Sequence, residues 1–115
     1  MRTVHETIRL ADELINTEVE VTGILYGGSG QFAQYLVDSP ADFGGAQKLQ
    51  MVVPQFTNRA LECGLDPIIG SSIVFCSPAV VLGYLRRCGL HSSFALESIK
   101  RLTVRQRDRV FVIQL

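Results

Sequence analysis

Only a few side chains in this chain are suited to covalent or metal chemistry. His5 and His91 are its imidazoles, and Cys63, Cys76 and Cys88 its thiols. Cys88 precedes His91 by three positions, and Ser92 and Ser93 follow, so a nucleophile and a base are close in sequence. Nucleophilic catalysis also needs a carboxylate to orient the imidazole and donors for an oxyanion, and no pattern here supplies either. A solvated loop histidine beside serines accounts for the same residues. No His-x-x-x-His pair, C-x-x-C pair or acidic cluster has the spacing that zinc or iron requires, so neither a metal nor any other cofactor is expected. The odd number of cysteines and their wide spacing predict reduced, mostly buried thiols. Gly27-Gly28-Ser29-Gly30 lacks the lysine that follows a phosphate-cradling loop and precedes no predicted helix; it reads as a flexible hairpin turn. The expectation is a protein that is not an enzyme.

Binding chemistry has more to draw on. Arg86-Arg87 and the alternating Arg105, Arg107 and Arg109 form the densest positive regions. A guanidinium holds phosphate or carboxylate through two parallel hydrogen bonds, so these arginines suit an anionic ligand or an acidic protein surface. Simple solvation is the plain alternative. Arg105 and Arg107 share a face only if one strand runs through both, and a turn there would separate them. The formal charge is zero, yet residues 1 to 47 hold two basic against seven acidic side chains, and residues 48 to 115 hold nine against four. Either the second half presents a basic surface, or the halves neutralise each other across the fold or across a contact between copies.

These residues need elements to position them. Thr3-Val4-His5-Glu6 fits a capping box, and Val4, Ile8, Ala11, Leu14 and Ile15 recur at helical spacing, predicting an amphipathic helix over 4–15. From Val19 the period changes to two: Val19, Val21 and Leu25 alternate with Glu20 and Thr22, and Gly23 marks a point where the backbone bends or approaches another strand. A turn at 27–30, a return strand over 32–38, a loop over 39–47 and a strand over 48–53 complete a three-stranded meander ended by Pro54. A short helix is expected over 58–63, stopped by Gly64. Strands follow over 72–76 and 94–104, with a terminal strand from about 109. For 79–88 both readings stand. Ser77-Pro78 and Gly89 could bound a helix, but Val80, Val81, Leu82 and the interior Gly83 favour a strand.

Helix, meander, short helix and two further strands resemble the OB-fold, a five-stranded Greek-key barrel with a helix between strands three and four. V-E-V-T-G-I-L-Y looks like its first strand with the mid-strand glycine, A-V-V-L-G-Y-L like its fourth, and the resemblance spans most of residues 18–104. It implies a binding face along strands two and three and the loops flanking them. Tyr26, Phe32, Tyr35 and Tyr84 would then offer rings for base stacking, with Gln50 beside them, and Lys48, Arg86, Arg87, Arg105 and Arg107 would offer charges for phosphates. The absence of tryptophan, the single lysine on that face and the nearby Asp38 and Asp42 argue against nucleic acid.

With 115 residues and 47% hydrophobic content, the chain has enough apolar material for one packed core, and its longest apolar runs fall far short of a membrane span. Glu6, Asp12 and Glu13 interrupt the region where an export signal would lie, so a cytoplasmic protein is expected. The resulting expectation is a mainly β chain: one small OB-like domain over 1–115, with an N-terminal amphipathic helix, serving as a binding module. Its partner is expected to be protein, another copy included, with single-stranded DNA or RNA as the alternative and no membrane role.

Overall fold

The computed structural model describes residues 1–28, 34–68, 73–87 and 94–114. In chain order these form α1 (Val4–Arg9), α2 (Ala11–Leu14), β1 (Glu18–Gly28), β2 (Gln34–Val37), β3 (Lys48–Met51), α3 (Phe56–Glu62), β4 (Ile73–Arg87), β5 (Phe94–Gln106) and β6 (Arg109–Gln114). The strands line up as β3-β2-β1-β4-β5-β6, with antiparallel neighbours throughout. A short parallel pairing of β3 with β5, Gln50 to Ala95 and Met51 to Leu96, closes the first five into a barrel. The arrangement is compatible with an OB-like barrel. β6 continues the sheet beyond it.

Period-two alternation decides what fills the barrel. Val19, Val21 and Leu25 point inward from β1, Leu36 from β2, Leu49 and Met51 from β3, and Phe75, Val81 and Leu85 from β4. The region 79–88 is strand as far as Arg87, the last residue of β4. α3 begins two residues earlier than the sequence predicts and places Phe56 and Ala60 in the core, the Phe56 ring edge-on to Phe75 at 5.6 Å. Its C-terminus is stopped as expected. Gly64 adopts φ 95°, and the Gly64 and Leu65 amides donate back to Leu61 and Ala60, the double hydrogen bond of a Schellman ending.

The N-terminal helix is two helices, broken at Leu10, where φ is −97° and ψ 14°. Thr3 caps α1 by accepting the Glu6 amide at 3.2 Å, while the Glu6 carboxylate takes the Thr3 hydroxyl rather than a backbone amide. A second fastening comes from outside the helix. The Asp38 carboxylate, just past β2, accepts the Val4 and His5 amides at 2.9 Å each. Val4 and Ala11 are thereby held in the core.

Both mid-strand glycines sit at close approaches. A Cβ on Gly23 would lie 2.8 Å from the Val37 carbonyl oxygen, a backbone atom that the sheet holds in place. One on Gly83 would lie 3.1 Å from the Glu97 oxygen, opposite the bulge where the β4–β5 register shifts between Leu82 and Tyr84. Ser98, within that bulge, has φ 49°. The burial expected of the thiols fails: Cys63 and Cys76 are free but exposed, one just past the end of α3 and the other on the outer side of β4, while Cys88 lies outside the described residues. Widely spaced single cysteines do not reveal which face of their element they occupy. Gly23→Ala is expected to destabilise the fold by about 1–3 kcal/mol and Gly83→Ala by less, measured by urea unfolding, because the new methyl would approach backbone oxygen to 2.8 Å at the first and to 3.1 Å at the second.

Candidate functional site

Two outer regions of the barrel gather binding chemistry. The first lies across β1, β2 and β3. Tyr26 pairs with Tyr35, and Tyr35 with Gln50, so the three share an outward row. The loop after β2 folds over this row and brings in Phe43, whose ring centroid is 4.3 Å from Tyr26 and 5.4 Å from Tyr35. The Lys48 ammonium lies 4.7 Å from the Tyr35 ring centre and 5.5 Å from that of Phe43, and donates to the Phe43 carbonyl at 3.0 Å. Such contacts combine cation–π attraction with a charge-assisted hydrogen bond. Three rings and one cation therefore satisfy each other locally. Phe43 is a member that the sequence reading missed: its only signal is an aromatic side chain just before Gly44-Gly45, inside a loop with no other large apolar side chain.

The other predicted site residues separate. Tyr26 pairs with Cys76, while Tyr84, Arg86 and Arg87 occupy the opposite end of β4. There Arg86 lies 5.2 Å from the Tyr84 ring centre and Arg87 5.4 Å from that of Phe94. Arg105 ends up near the tip of the β5–β6 hairpin and Arg107 inside its turn, with φ 54°. The two do not share a strand face, because the strand stops between them. Phe32 and His91 lie outside the described residues. Asp38 and Asp42 flank His5 instead of facing a ligand, 3.7 Å from its Nδ1 and 3.4 Å from its Nε2.

The charge asymmetry of the chain is largely consumed within the fold. Arg87 pairs with Asp12 at 3.5 Å, Lys100 with Glu18 at 2.5 Å and Arg101 with Glu20 at 3.6 Å, each joining the basic half to the acidic one. Arg86 reaches Glu97 at 3.9 Å and donates to the Asn16 side-chain oxygen at 3.0 Å. Exposed pairs of this kind add only about 0–1 kcal/mol each, and they engage Arg86, Arg87, Lys100 and Arg101. Arg105, Arg107 and Arg109 enter no ion pair among the described residues.

The second region is the outer face of β1, β4, β5 and β6. Strand register aligns Thr22, Val80, Thr103 and Val112 in one row across four strands. The neighbouring row holds Ile24, Pro78, Arg105 and Val110, and between the rows lies a shallow groove of about 270 Å³. Val110 is 62% exposed and Val112 46%. This sheet face is mainly apolar and hydroxyl-edged, with Arg105 also lining the groove. A second cleft, of about 570 Å³, opens where β3 leaves β5 and is lined by Val52, Val53, Pro54, Arg59, Glu97, Ser98 and Ile99. Among the described residues no group of three or more His, Cys, Asp or Glu side chains could hold a metal ion. No described helix is long and apolar enough to cross a membrane.

Glu18, by hydrogen bond and by charge, raises the Lys100 ammonium above its ordinary 10.5, with a smaller contribution from Tyr84. A raised cation stabilises the fold below its unfolded pKa and loses that contribution as pH rises through the folded value. The stability difference between the native chain and Lys100→Met is thus expected to stay flat from neutral pH to about pH 9 and to vanish only at strongly alkaline pH, followed by thermal melts across that range. This chain matches no family model, no curated protein and no solved structure.

Proposed function

We propose that this chain is a non-enzymatic binding module of OB-fold type whose partner is protein, a component of an assembly. The observation that carries this reading is the open outer face of β1, β4, β5 and β6. There Val80, Pro78, Val110 and Val112 stand toward solvent while the neighbouring cations Lys100 and Arg101 are held by Glu18 and Glu20. Contiguous exposed apolar surface rimmed by polar groups is the signature of a protein contact. The strand order and the helix between β3 and β4 support the OB-fold reading, and the free thiols of Cys63 and Cys76 suit a cytoplasmic setting.

Single-stranded nucleic acid is the second reading, favoured by the Tyr26, Tyr35, Phe43 and Lys48 cluster on the face where OB-folds bind oligonucleotides. Against it stands the way those rings and that ammonium already pack on one another.

A photo-crosslinking amino acid at Val80 is expected to capture protein in cells, and the same group at Leu61, exposed on α3, is expected to capture none. Equal capture at both sites, or none at Val80, removes the protein reading. In parallel, labelled single-stranded DNA and RNA are titrated at low and moderate salt, with Arg86→Ala/Arg87→Ala and Tyr35→Ala alongside. The expected result is no binding; salt-sensitive binding lost in the variants puts nucleic acid first.

A further inference from the structure

β6 ends the sheet. It pairs with β5 over Arg101–Gln106 and with no other strand among the described residues. Its turn has two residues, Arg107 and Asp108, so Gln106 and Arg109 form a hydrogen-bonded pair. Hydrogen-bonded and non-bonded pairs alternate along an antiparallel ladder. Arg109, Phe111 and Ile113 therefore direct their peptide groups to β5, whereas Val110 and Val112 direct theirs away from it. Outside the strand ladders no backbone hydrogen bond joins Val110 or Val112 to another described element, and β5 is the one strand β6 pairs with among the described residues. Native edges are usually protected by charge, proline or a bulge. The run Val110–Ile113 has none of these.

We propose that this edge adds to the β6 edge of a second copy, antiparallel, about a twofold axis at Phe111. The inference rests on the protein-partner reading and names the partner. In this register Val110 lies opposite the partner's Val112 and Val112 opposite the partner's Val110. All four peptide groups that point outward meet counterparts, giving four N–H···O=C bonds. The contact is isologous, each residue meeting its own symmetry mate's neighbour in the same way on both sides. The four valine side chains fall on one face and extend the row of Thr22, Val80 and Thr103 across the junction.

Charge favours a second copy over an acidic peptide. The hairpin tip carries Arg105, Arg107 and Arg109, but Asp66 and Asp108 lie in the same region, leaving a surplus of one positive charge. In the proposed register Arg109 and the partner's Arg109 lie at opposite ends, about 14 Å apart along the strands, beyond the screening length of physiological salt. The chain's formal charge of zero adds no long-range repulsion. A six-residue edge buries less than the roughly 1,600 Å² of a standard interface, so the dimer belongs to the weak, concentration-dependent class.

Sedimentation equilibrium of the full chain over a wide concentration range tests this, with Val112→Pro as the variant. The Val112 amide faces away from β5, so proline there removes no hydrogen bond of the fold, which a circular dichroism melt verifies. The expected result is a native mass rising toward twice the monomer with concentration, and at least tenfold weaker association in the variant. Amide hydrogen exchange of the native chain supplies a readout independent of the variant: the Val110 and Val112 amides should be slowed as concentration rises. A mass that stays monomeric with both amides exchanging freely overturns the proposal. A dimer unaffected by Val112→Pro whose Val110 and Val112 amides exchange freely overturns it too, since the contact then lies elsewhere. Capture of a different protein at Val80 by a chain that stays monomeric leaves the protein-partner reading standing and rejects the second copy.

Discussion

Two residue pairs, Gln50 with Ala95 and Met51 with Leu96, hold the barrel closed, and much of the molecule is arranged around so short a seam. β5 has one edge to offer on that side and divides it: Ala95 and Leu96 serve β3, while Arg101–Gln106 serve β6. Between the two stretches the chain must turn from one neighbour to the other. The bulge with Ser98 at φ 49° makes that turn, and Gly83 leaves room for it on β4. At Gly23 the requirement is similar, since the strand coils tightly enough to bring the Val37 carbonyl against its Cα hydrogens. The missing side chains at these two places let the strands coil closely enough to close a small barrel.

Electrostatics follows from the same topology. β1 carries Glu18 and Glu20 outward, β5 carries Lys100 and Arg101, and β4 lies between with Leu82 and Tyr84. The long side chains reach across the intervening strand to meet. Three ion pairs thus join an acidic half and a basic half that are widely separated in sequence. On the β6 side of the barrel the exposed Val110 and Val112 remain, beside Arg105, Arg107 and Arg109, which enter no ion pair among the described residues.

The alternation of Val19, Val21 and Leu25, the interior glycines and the Gly64 stop all correspond to features of the folded chain, because each reflects a local backbone or burial requirement that one sequence displays on its own. Other features depend on contacts between distant segments. The break at Leu10 separates two helices whose apolar residues keep helical spacing throughout, and the anchoring of α1 comes from Asp38, 34 residues from Val4. Phe43 joins Tyr26 and Tyr35 through the folding of a loop, which no periodicity encodes. Arg105 and Arg107 share the alternating spacing of a strand, but the turn between them is set by the pairing of Gln106 with Arg109. The cysteines failed for a related reason: burial belongs to a face, and an isolated residue does not declare its face.

Gln106 connects two parts of the chain that no strand pairing joins. Its side-chain oxygen accepts the Asp66 amide at 2.8 Å, and its side-chain nitrogen donates to the Asp66 carbonyl at 3.0 Å and to the buried Ser77 hydroxyl at 3.3 Å. One amide group thus mimics a short stretch of sheet between the segment after α3 and the base of the terminal hairpin. Displacing the end of β5 must break these bonds as well as its strand pairing, so that strand end and the post-helix segment open together. Release of the segment after α3 is therefore coupled to the end of β5, and not to the terminal strand that pairs with it.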